Sequence, residues 1–153
     1  MAQPDIVKGT YIDILIGDGG VNGQPETFAP VCGITTRSFT HQVNTNDVFV
    51  PDCADPESRP ARRLVPTGEQ WDLAGEGLFN LAQEALIRQA TGVTRNFRFR
   101  IARPAGSTVG TGYYAGPAMI TNRQLGGNSG GGEFGSLSIA IASDGAWTWT
   151  PAV

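Results

Sequence analysis

The hydrophobic pattern is clearest in residues 70–92, where an alternating segment changes into a helical one. Over residues 70–76 the apolar positions Trp71 and Leu73 alternate with polar positions, which is typical of a half-buried strand. From Leu78 the apolar residues recur at a helical period and predict one amphipathic helix of about four turns. Ile87 falls outside the predicted apolar sector, which contains Leu78, Phe79, Leu81, Ala82, Ala85 and Leu86.

Alternation and turn residues predict further strands on both sides of this unit. Pro30 indicates an edge strand or a bulge, Gly116-Pro117 predicts a kink or a bulge, and Asp144-Gly145 predicts a tight hairpin between the last two strands. Six to eight strands with a single helix predict a mainly β fold, either a β-sandwich or a small barrel with one flanking α-helix. The predicted strands are residues 10–16, 28–34, 35–43, 96–103, 113–124, 134–143 and 146–150.

Residues 44–66 interrupt the alternation. They contain four prolines, several charges and one short apolar run, Val48-Phe49-Val50. Loops longer than about 12 to 15 residues are uncommon in compact domains and are usually functional or disordered. One interpretation is a long excursion, such as a hairpin arm, that becomes ordered against another subunit; the other is a linker between two domains. We favour the excursion because only about forty residues precede it, which is marginal for a separate core.

Composition narrows the classes of function. The chain has 153 residues, which is typical of one domain, and a formal net charge of −3. Lys8 is the only lysine, and the arginines form no run longer than Arg62-Arg63, which argues against a phosphate-binding patch. The N-terminus lacks the pattern of a signal peptide, and no apolar stretch approaches the ~18 residues of a membrane span. We therefore expect a soluble protein that is made and assembled inside a cell.

The cysteines and the histidine offer little chemistry. Cys32 and Cys53 are the only cysteines, and two interpretations stay open: two reduced, partly buried thiols, as expected inside a cell, or a disulfide that closes the loop between them. His41 is the only histidine and no Cys-x-x-Cys spacing exists. The sequence therefore predicts neither a metal site nor a cofactor.

Two motif matches lie in one glycine-rich turn. The segment GGGEFG at residues 130–135 matches a dinucleotide-binding fingerprint, but it opens a strand instead of a helix, so we discard it. The segment GNSGG at residues 127–131 places Ser129 after His41 and Asp52 or Asp72, the chain order of trypsin-like proteases. Such proteases need two barrels and a longer chain, and His41 lies in an ordinary alternating strand. We therefore expect no enzymatic activity.

The order of the elements resembles a known family. The segments that carry the resemblance are a strand ending in IGDGG, then ETFAPVCGITTRSFTHQVN, a long loop, QWDLAGEGLF running into the helix, FRFRI, YYAGPAMITN and GEFGSLSIAIASDG. Over about residues 10–145 this order is similar to the major tail (tail tube) proteins of long-tailed bacteriophages, the TP901-1-like group, including tail tubes of gene transfer agents.

The resemblance implies one tail tube domain over residues 1–153, with a loop at about residues 44–66 that reaches a neighbouring ring. It implies hexameric rings that stack into a tube, through which DNA is ejected into the host cell without specific binding. Expected partners are further copies of the chain, the tape measure, the tail terminator and baseplate components. The expected location is the virion tail, assembled in the bacterial host cytoplasm, with no insertion of this chain into a membrane. The expected inter-subunit contact residues are Val48, Phe49, Val50, Arg62, Arg63, Leu64, Trp147 and Trp149.

A tube wall along which DNA slides should not bind phosphates, because each phosphate neutralised by Lys or Arg adds affinity through counterion release. We therefore expect side chains facing the bore to be neutral or net acidic. One alternative function is a β-sandwich carbohydrate-binding module that stacks sugars on Trp147, Trp149, Tyr113 and Tyr114. Another is a head-tail or baseplate joining protein with the same fold.

Overall fold

The computed structural model describes residues 11–19, 25–102, 110–127, 129–130 and 134–151. Within these ranges the chain forms eight strands and one helix, so the predicted mainly β architecture with one flanking helix is confirmed. The elements are β1 Ile12–Gly17, β2 Phe28–Pro30, β3 Ile34–Val50, β4 Ala61–Leu78, α1 Leu81–Ala90, β5 Arg95–Ile101, β6 Gly112–Gly126, β7 Ser136–Ser143 and β8 Thr148–Pro151.

The strands form a single antiparallel sheet in the order β2-β1-β5-β6-β7-β4-β3. Strand β6 belongs to both halves of this sheet, because residues 112–118 pair with β5 and residues 118–126 pair with β7. The two halves fold over each other: the Phe39 ring of β3 stacks on Phe99 of β5, with ring centroids 5.0 Å apart. Pro30 lies on the short edge strand β2, as predicted.

The core fills the space between the two halves. Trp71 and Leu73 point inwards as predicted, and Leu73, Phe97 and Ile139 are each at most 2% exposed. Each of these side chains comes from a different strand, so burial of apolar surface stabilises the pairing of distant segments of the chain. The buried cluster is Ile14, Ile16, Val31, Ile34, Trp71, Leu73, Ile87, Ala90, Phe97, Phe99, Ala118, Ile120, Leu137, Ile139, Ile141 and Trp147.

The helix differs from its prediction in both start and orientation. It begins at Leu81, because the Asn80 side chain caps it by accepting a hydrogen bond from the Ala82 amide at 3.0 Å. It buries Ile87 and Ala90, whereas Leu81 is 78% exposed, so the predicted apolar sector is wrong for most of its residues; Leu86 does pack against the core. Polar contacts and packing against the sheet decide which helix face is buried. The Gln83 amide donates to the Pro30 carbonyl at 2.9 Å and accepts from the Cys32 amide at 2.6 Å.

Glu84 forms an ion pair with Arg88, one turn further along α1, at 2.7 Å, and also binds Arg123 of β6 at 2.7 Å. At the other end of α1 the Gly92 amide donates to the Ile120 carbonyl of β6, at 3.1 Å. These contacts join the helix to β6 along the part of that strand that β5 leaves uncovered. The helix therefore closes one side of the sheet.

Two predictions for the strands were wrong. The segment at Asp144-Gly145 forms no hairpin, because the Asp144 amide and the Trp147 indole both donate to the Pro117 carbonyl and β8 then continues along β6 in line with β7. The irregularity in β6 lies between Ile120 and Asn122 instead of at Pro117.

Candidate assembly surfaces

The longest feature of the structure is the hairpin of β3 and β4, which pair from Ile34 opposite Gly77 to Val50 opposite Ala61. On the N-terminal side of Asp72, strand β4 pairs only with β3 in the described chain. The outer part of the hairpin therefore leaves the sheet as a two-stranded ribbon. We call residues 42–69 the arm and residues 51–60 its tip. The linker interpretation of residues 44–66 is wrong, because the segments on either side pair with each other; the alternative of a hairpin was correct.

Apolar side chains project from both faces of the arm. Cross-strand pairing puts Val48 and Arg63 on one face and Phe49 and Arg62 on the other. Phe49 is 63% exposed and Leu64 54%. Because an isolated two-stranded hairpin is marginally stable in water, and exposed apolar patches mark interaction surfaces, the arm has the properties of a segment that another chain covers. Its free length is about 30 Å, from nine residues at about 3.3 Å each.

Six of the eight expected contact residues, Val48, Phe49, Val50, Arg62, Arg63 and Leu64, lie on this arm. Trp149 lies on β8, where its ring packs against Tyr114 and remains 39% exposed. Trp147 is 6% exposed in the core and its indole is hydrogen-bonded to the Pro117 carbonyl, so it offers almost no surface to a partner. The prediction for Trp147 therefore needs correction: tertiary packing buries it, although it is close to Trp149 in sequence.

The aromatic platform required by the carbohydrate alternative is not assembled. Tyr113 and Tyr114 are consecutive on β6 and therefore point to opposite faces. Tyr114 stacks on Phe39 on the core side, whereas Tyr113 lies over the Arg98 guanidinium on the outward side. With Trp147 buried, the four side chains share no common surface.

A second surface is the outward face of β3, β4, β7 and the second half of β6, which we call the polar face. The Gln70 amide donates to the side chains of Gln42 and Asp72, at 3.2 Å and 3.1 Å, so these three residues share the face. The charged side chains at its strand positions are Asp72 and Glu76, and no position carries Lys or Arg. Its members are Thr36, Ser38, Thr40, Gln42, Gln70, Asp72, Ala74, Glu76, Ser138, Ala140, Ala142, Asn122 and Gln124.

The outward side of the other half of the sheet, on β1, β5 and the first half of β6, has the opposite charge character. It carries Arg98 and Arg100, and we call it the arginine face. The Asp13 carboxylate accepts from Arg100 at 2.6 Å and lies 3.7 Å from Arg37. The polar face therefore carries only acidic charges at its strand positions, whereas this face carries arginines together with Asp13.

The outer edge of β3 is also open. In the described part of the chain β3 pairs with β4 and with no other strand over its 17 residues. Such an edge exposes unpaired backbone N–H and C=O groups that can pair with a strand of another chain. The edge, the arm and the polar face all involve the β3–β4 hairpin.

The residues of the rejected protease pattern are not brought together. His41 stacks on Trp71 with ring centroids 5.0 Å apart and lies 3.8 Å from Glu69. Ser129 follows the end of β6, where the sheet neighbours are near Leu78 and Ile34. His41 is seven positions from Ile34 along β3, about 23 Å at 3.3 Å per residue. The geometry therefore does not support a catalytic triad.

Cys32 and Cys53 are both free and both exposed, so neither the disulfide nor the partial burial expected from sequence is observed. Among the residues that the structure describes, no group of three His, Cys, Asp or Glu side chains could hold a metal ion. None of the described helical segments has the length and apolar character needed to cross a membrane.

No protein-family model and no curated protein matches the chain. The similarities that were found are to solved structures. A chain from the tail of an empty gene transfer agent particle, solved by helical refinement with C6 symmetry, superposes with a TM-score of 0.71 at 23% identity, over 95% of this chain and 99% of that one. A chain from the virion of a native gene transfer agent particle gives 0.67 at 21% identity, over 95% and 99%.

The tail tube of SPP1 gives a TM-score of 0.66 at 13% identity, over 97% of this chain and 81% of that one. All three relationships extend over nearly the whole of this chain, although the sequences have diverged widely. The chain therefore has the fold of tail tube proteins, in which one antiparallel sheet folds over itself and a single helix packs on its side.

Proposed function

We propose that this protein is the structural subunit of a tail tube. Copies of the chain form rings of six, in keeping with the C6 symmetry of the similar gene transfer agent tail. The rings stack into a tube, and the arm of each copy contacts a neighbouring ring. The observation that carries the proposal is the arm, which exposes Phe49 and Leu64 at 63% and 54% in a chain with the tail tube fold.

In the proposed tube the polar face lines the bore and DNA passes along it into the host cell. This face carries Asp72 and Glu76 without a compensating cation among its strand positions. A wall of this kind repels phosphates weakly and releases no counterions when DNA is present, so DNA does not adhere to it. The separation of the arginines onto another face supports this orientation.

The proposed location is the virion tail, with assembly in the cytoplasm of the bacterial host. Tape measure, tail terminator and baseplate proteins are the proposed partners at the bore and at the two ends of the tube. The role is structural, without catalysis, because binding energy between copies suffices for assembly. Open β3 edges of neighbouring copies pair with strands of the adjacent subunit, which removes unpaired backbone groups from solvent.

The test is electron microscopy and sedimentation velocity of the purified chain at increasing concentration. We expect rings with six-fold symmetry, or tubes whose wall is about one subunit thick. A matched variant in which residues 44–66 are replaced by an Asn-Gly turn should stay monomeric while keeping the folded body, checked by circular dichroism. A wild-type chain that stays monomeric at millimolar concentration contradicts the proposal, and closed single rings that never stack favour a joining protein.

A further inference from the structure

Arg98 lies between two aromatic rings on the arginine face. Its guanidinium carbon is 3.7 Å from the ring centroid of Phe28 on β2 and 4.4 Å from that of Tyr113 on β6. The Arg98 Nε atom is buried and has no hydrogen-bond partner among the residues that the structure describes. The side chain is thus fixed by three strands and retains unused donor capacity.

The surrounding strands supply Arg98 with no carboxylate in the described part of the chain. Its direct cross-strand neighbours are Leu15 on β1 and Ala115 on β6. On this face Asp13 already contacts Arg100 and Arg37, and Glu26 accepts a hydrogen bond from Asn96, two residues from Arg98 on β5. A half-buried cation without an acidic partner is costly, and aromatic faces compensate only part of that cost.

The aromatic contacts also determine where an anion can approach. Rings that stack on a planar guanidinium occupy its two faces and leave its N–H donors at the edge. An edge-on carboxylate can accept two parallel hydrogen bonds from that fork, the strongest geometry available to arginine. The arrangement therefore matches a carboxylate better than a sugar or an apolar side chain.

The arm tip supplies exposed carboxylates. Asp52, Asp55 and Glu57 are exposed, and none of them forms an ion pair within the described residues. Arg59 is the only basic residue of the tip, so the tip is acidic, whereas Arg98 is a cation without an ion pair among the described residues. The arm extends about 30 Å beyond the body at 3.3 Å per residue, far enough to contact a second molecule.

We propose that Arg98, held by Phe28 and Tyr113, is the docking site for a carboxylate on the arm tip of a second copy of this chain. The inference rests on the proposed self-assembly and goes further by naming the surface that receives the arm. Opposite charges on the tip and on the receiving face also determine which surface the arm selects, since a like-charged surface would repel it.

The experiment uses the full chain and charge reversal on each side. Arg98→Glu, and separately a tip variant with Asp52→Lys, Asp55→Lys and Glu57→Lys, should each weaken ring-to-ring association by about tenfold or more, measured by sedimentation velocity. Combining both sets should restore most of the association. Arg98→Lys should also weaken it, because lysine lacks the planar fork. Arg88→Glu, an exposed change of the same charge on α1, should have little effect.

Each outcome bears on a different claim. Normal assembly of Arg98→Glu overturns the docking site while the tail tube proposal stands, and absence of assembly in the wild type defeats the tube proposal itself. Loss without recovery in the combined variant overturns the arm tip as the occupant. Asp5→Asn tests whether Asp5 of the same chain, which lies outside the described residues, is the partner of Arg98. A loss of ring-to-ring association equal to that of Arg98→Glu would also overturn the inference. Should Arg98→Glu fail to fold, the tip variant decides, because its changes are confined to exposed positions.

Discussion

The imidazole of His41 lies flat on the indole of Trp71, with ring centroids 5.0 Å apart and planes 5° from parallel. This pair is the boundary between body and arm. Trp71 is 8% exposed and belongs to the core, whereas every residue from 42 to 50 and from 61 to 69 is exposed. The stacked pair therefore marks the point where the buried part of the hairpin ends and the exposed ribbon begins.

Replacing Trp71 by alanine should destabilise the body of the protein. Truncating a buried tryptophan leaves a cavity and costs about 3 to 5 kcal/mol of unfolding free energy. The measurement is urea unfolding followed by circular dichroism. His41→Ala, which removes the exposed half of the stack, should cost less than about 1 kcal/mol. Equal losses for the two variants would show that the boundary is misassigned.

Replacing the apolar side chains of the arm should affect assembly and leave folding intact. Phe49→Ser and Leu64→Ser change residues that touch solvent in the single chain, so the unfolding free energy should change by less than about 0.5 kcal/mol. Ring and tube formation should be lost at concentrations where the wild type assembles. Asn46→Ser, an exposed polar change on the same strand, is the control. Tubes formed normally by Phe49→Ser would remove the arm from the assembly.

The polar face can be tested by reversing its charge. Tubes that carry Asp72→Lys and Glu76→Lys should bind double-stranded DNA, and the affinity should fall steeply with salt, because each new phosphate contact adds about 0.9 to the slope of log affinity against log salt. Wild-type tubes should bind DNA weakly. Tubes that carry Asp72→Asn and Glu76→Gln lose the negative charges without gaining positive ones. They should bind less DNA than the lysine variant. Equal DNA binding by wild-type and lysine tubes would place the polar face away from the bore.

Gly116 tests the packing between β6 and the loop that precedes β8. A Cβ at this position would overlap the indole ring of Trp147, which is buried and hydrogen-bonded. Gly116→Ala should therefore lower the unfolding free energy by about 1 to 3 kcal/mol, the usual cost of overpacking. Gly127→Ala is the matched control, because nothing lies within 4 Å of its added Cβ. Equal melting temperatures for both variants would contradict the packing described.

Cys53 is a native thiol on the arm tip, so its reactivity can report on assembly without an introduced cysteine. In the unassembled chain both thiols are exposed, so both should react with a maleimide. In a Cys32→Ser background, assembly should slow labelling of Cys53 at least severalfold, because the arm tip then lies against a neighbour and access to the thiolate falls. Unchanged labelling in tubes would mean that the tip stays in solvent.

Strands that cover the core could be predicted from sequence because one of their faces is buried and the other is not. Leu137, Ile139 and Ile141 alternate with the small residues Ser138, Ala140 and Ala142, and that period matches a sheet with one buried face. The outer strands of the arm could not be predicted in this way. Both of their faces are exposed, so no difference between an inner and an outer side shapes their sequence, and Val48-Phe49-Val50 resembles an apolar run inside a loop.

The sequence by itself determined the mainly β composition, the helix and the alternating core positions, since these depend on the local period of apolar residues. Only the tertiary structure decided which face of α1 is buried, that β8 continues along β6, that Trp147 lies in the core and that Arg98 Nε is buried without a hydrogen-bond partner among the described residues. Each of these depends on which distant segments meet. Such contacts are selected by the total buried apolar area and by hydrogen-bond satisfaction over the whole chain, which no local window contains.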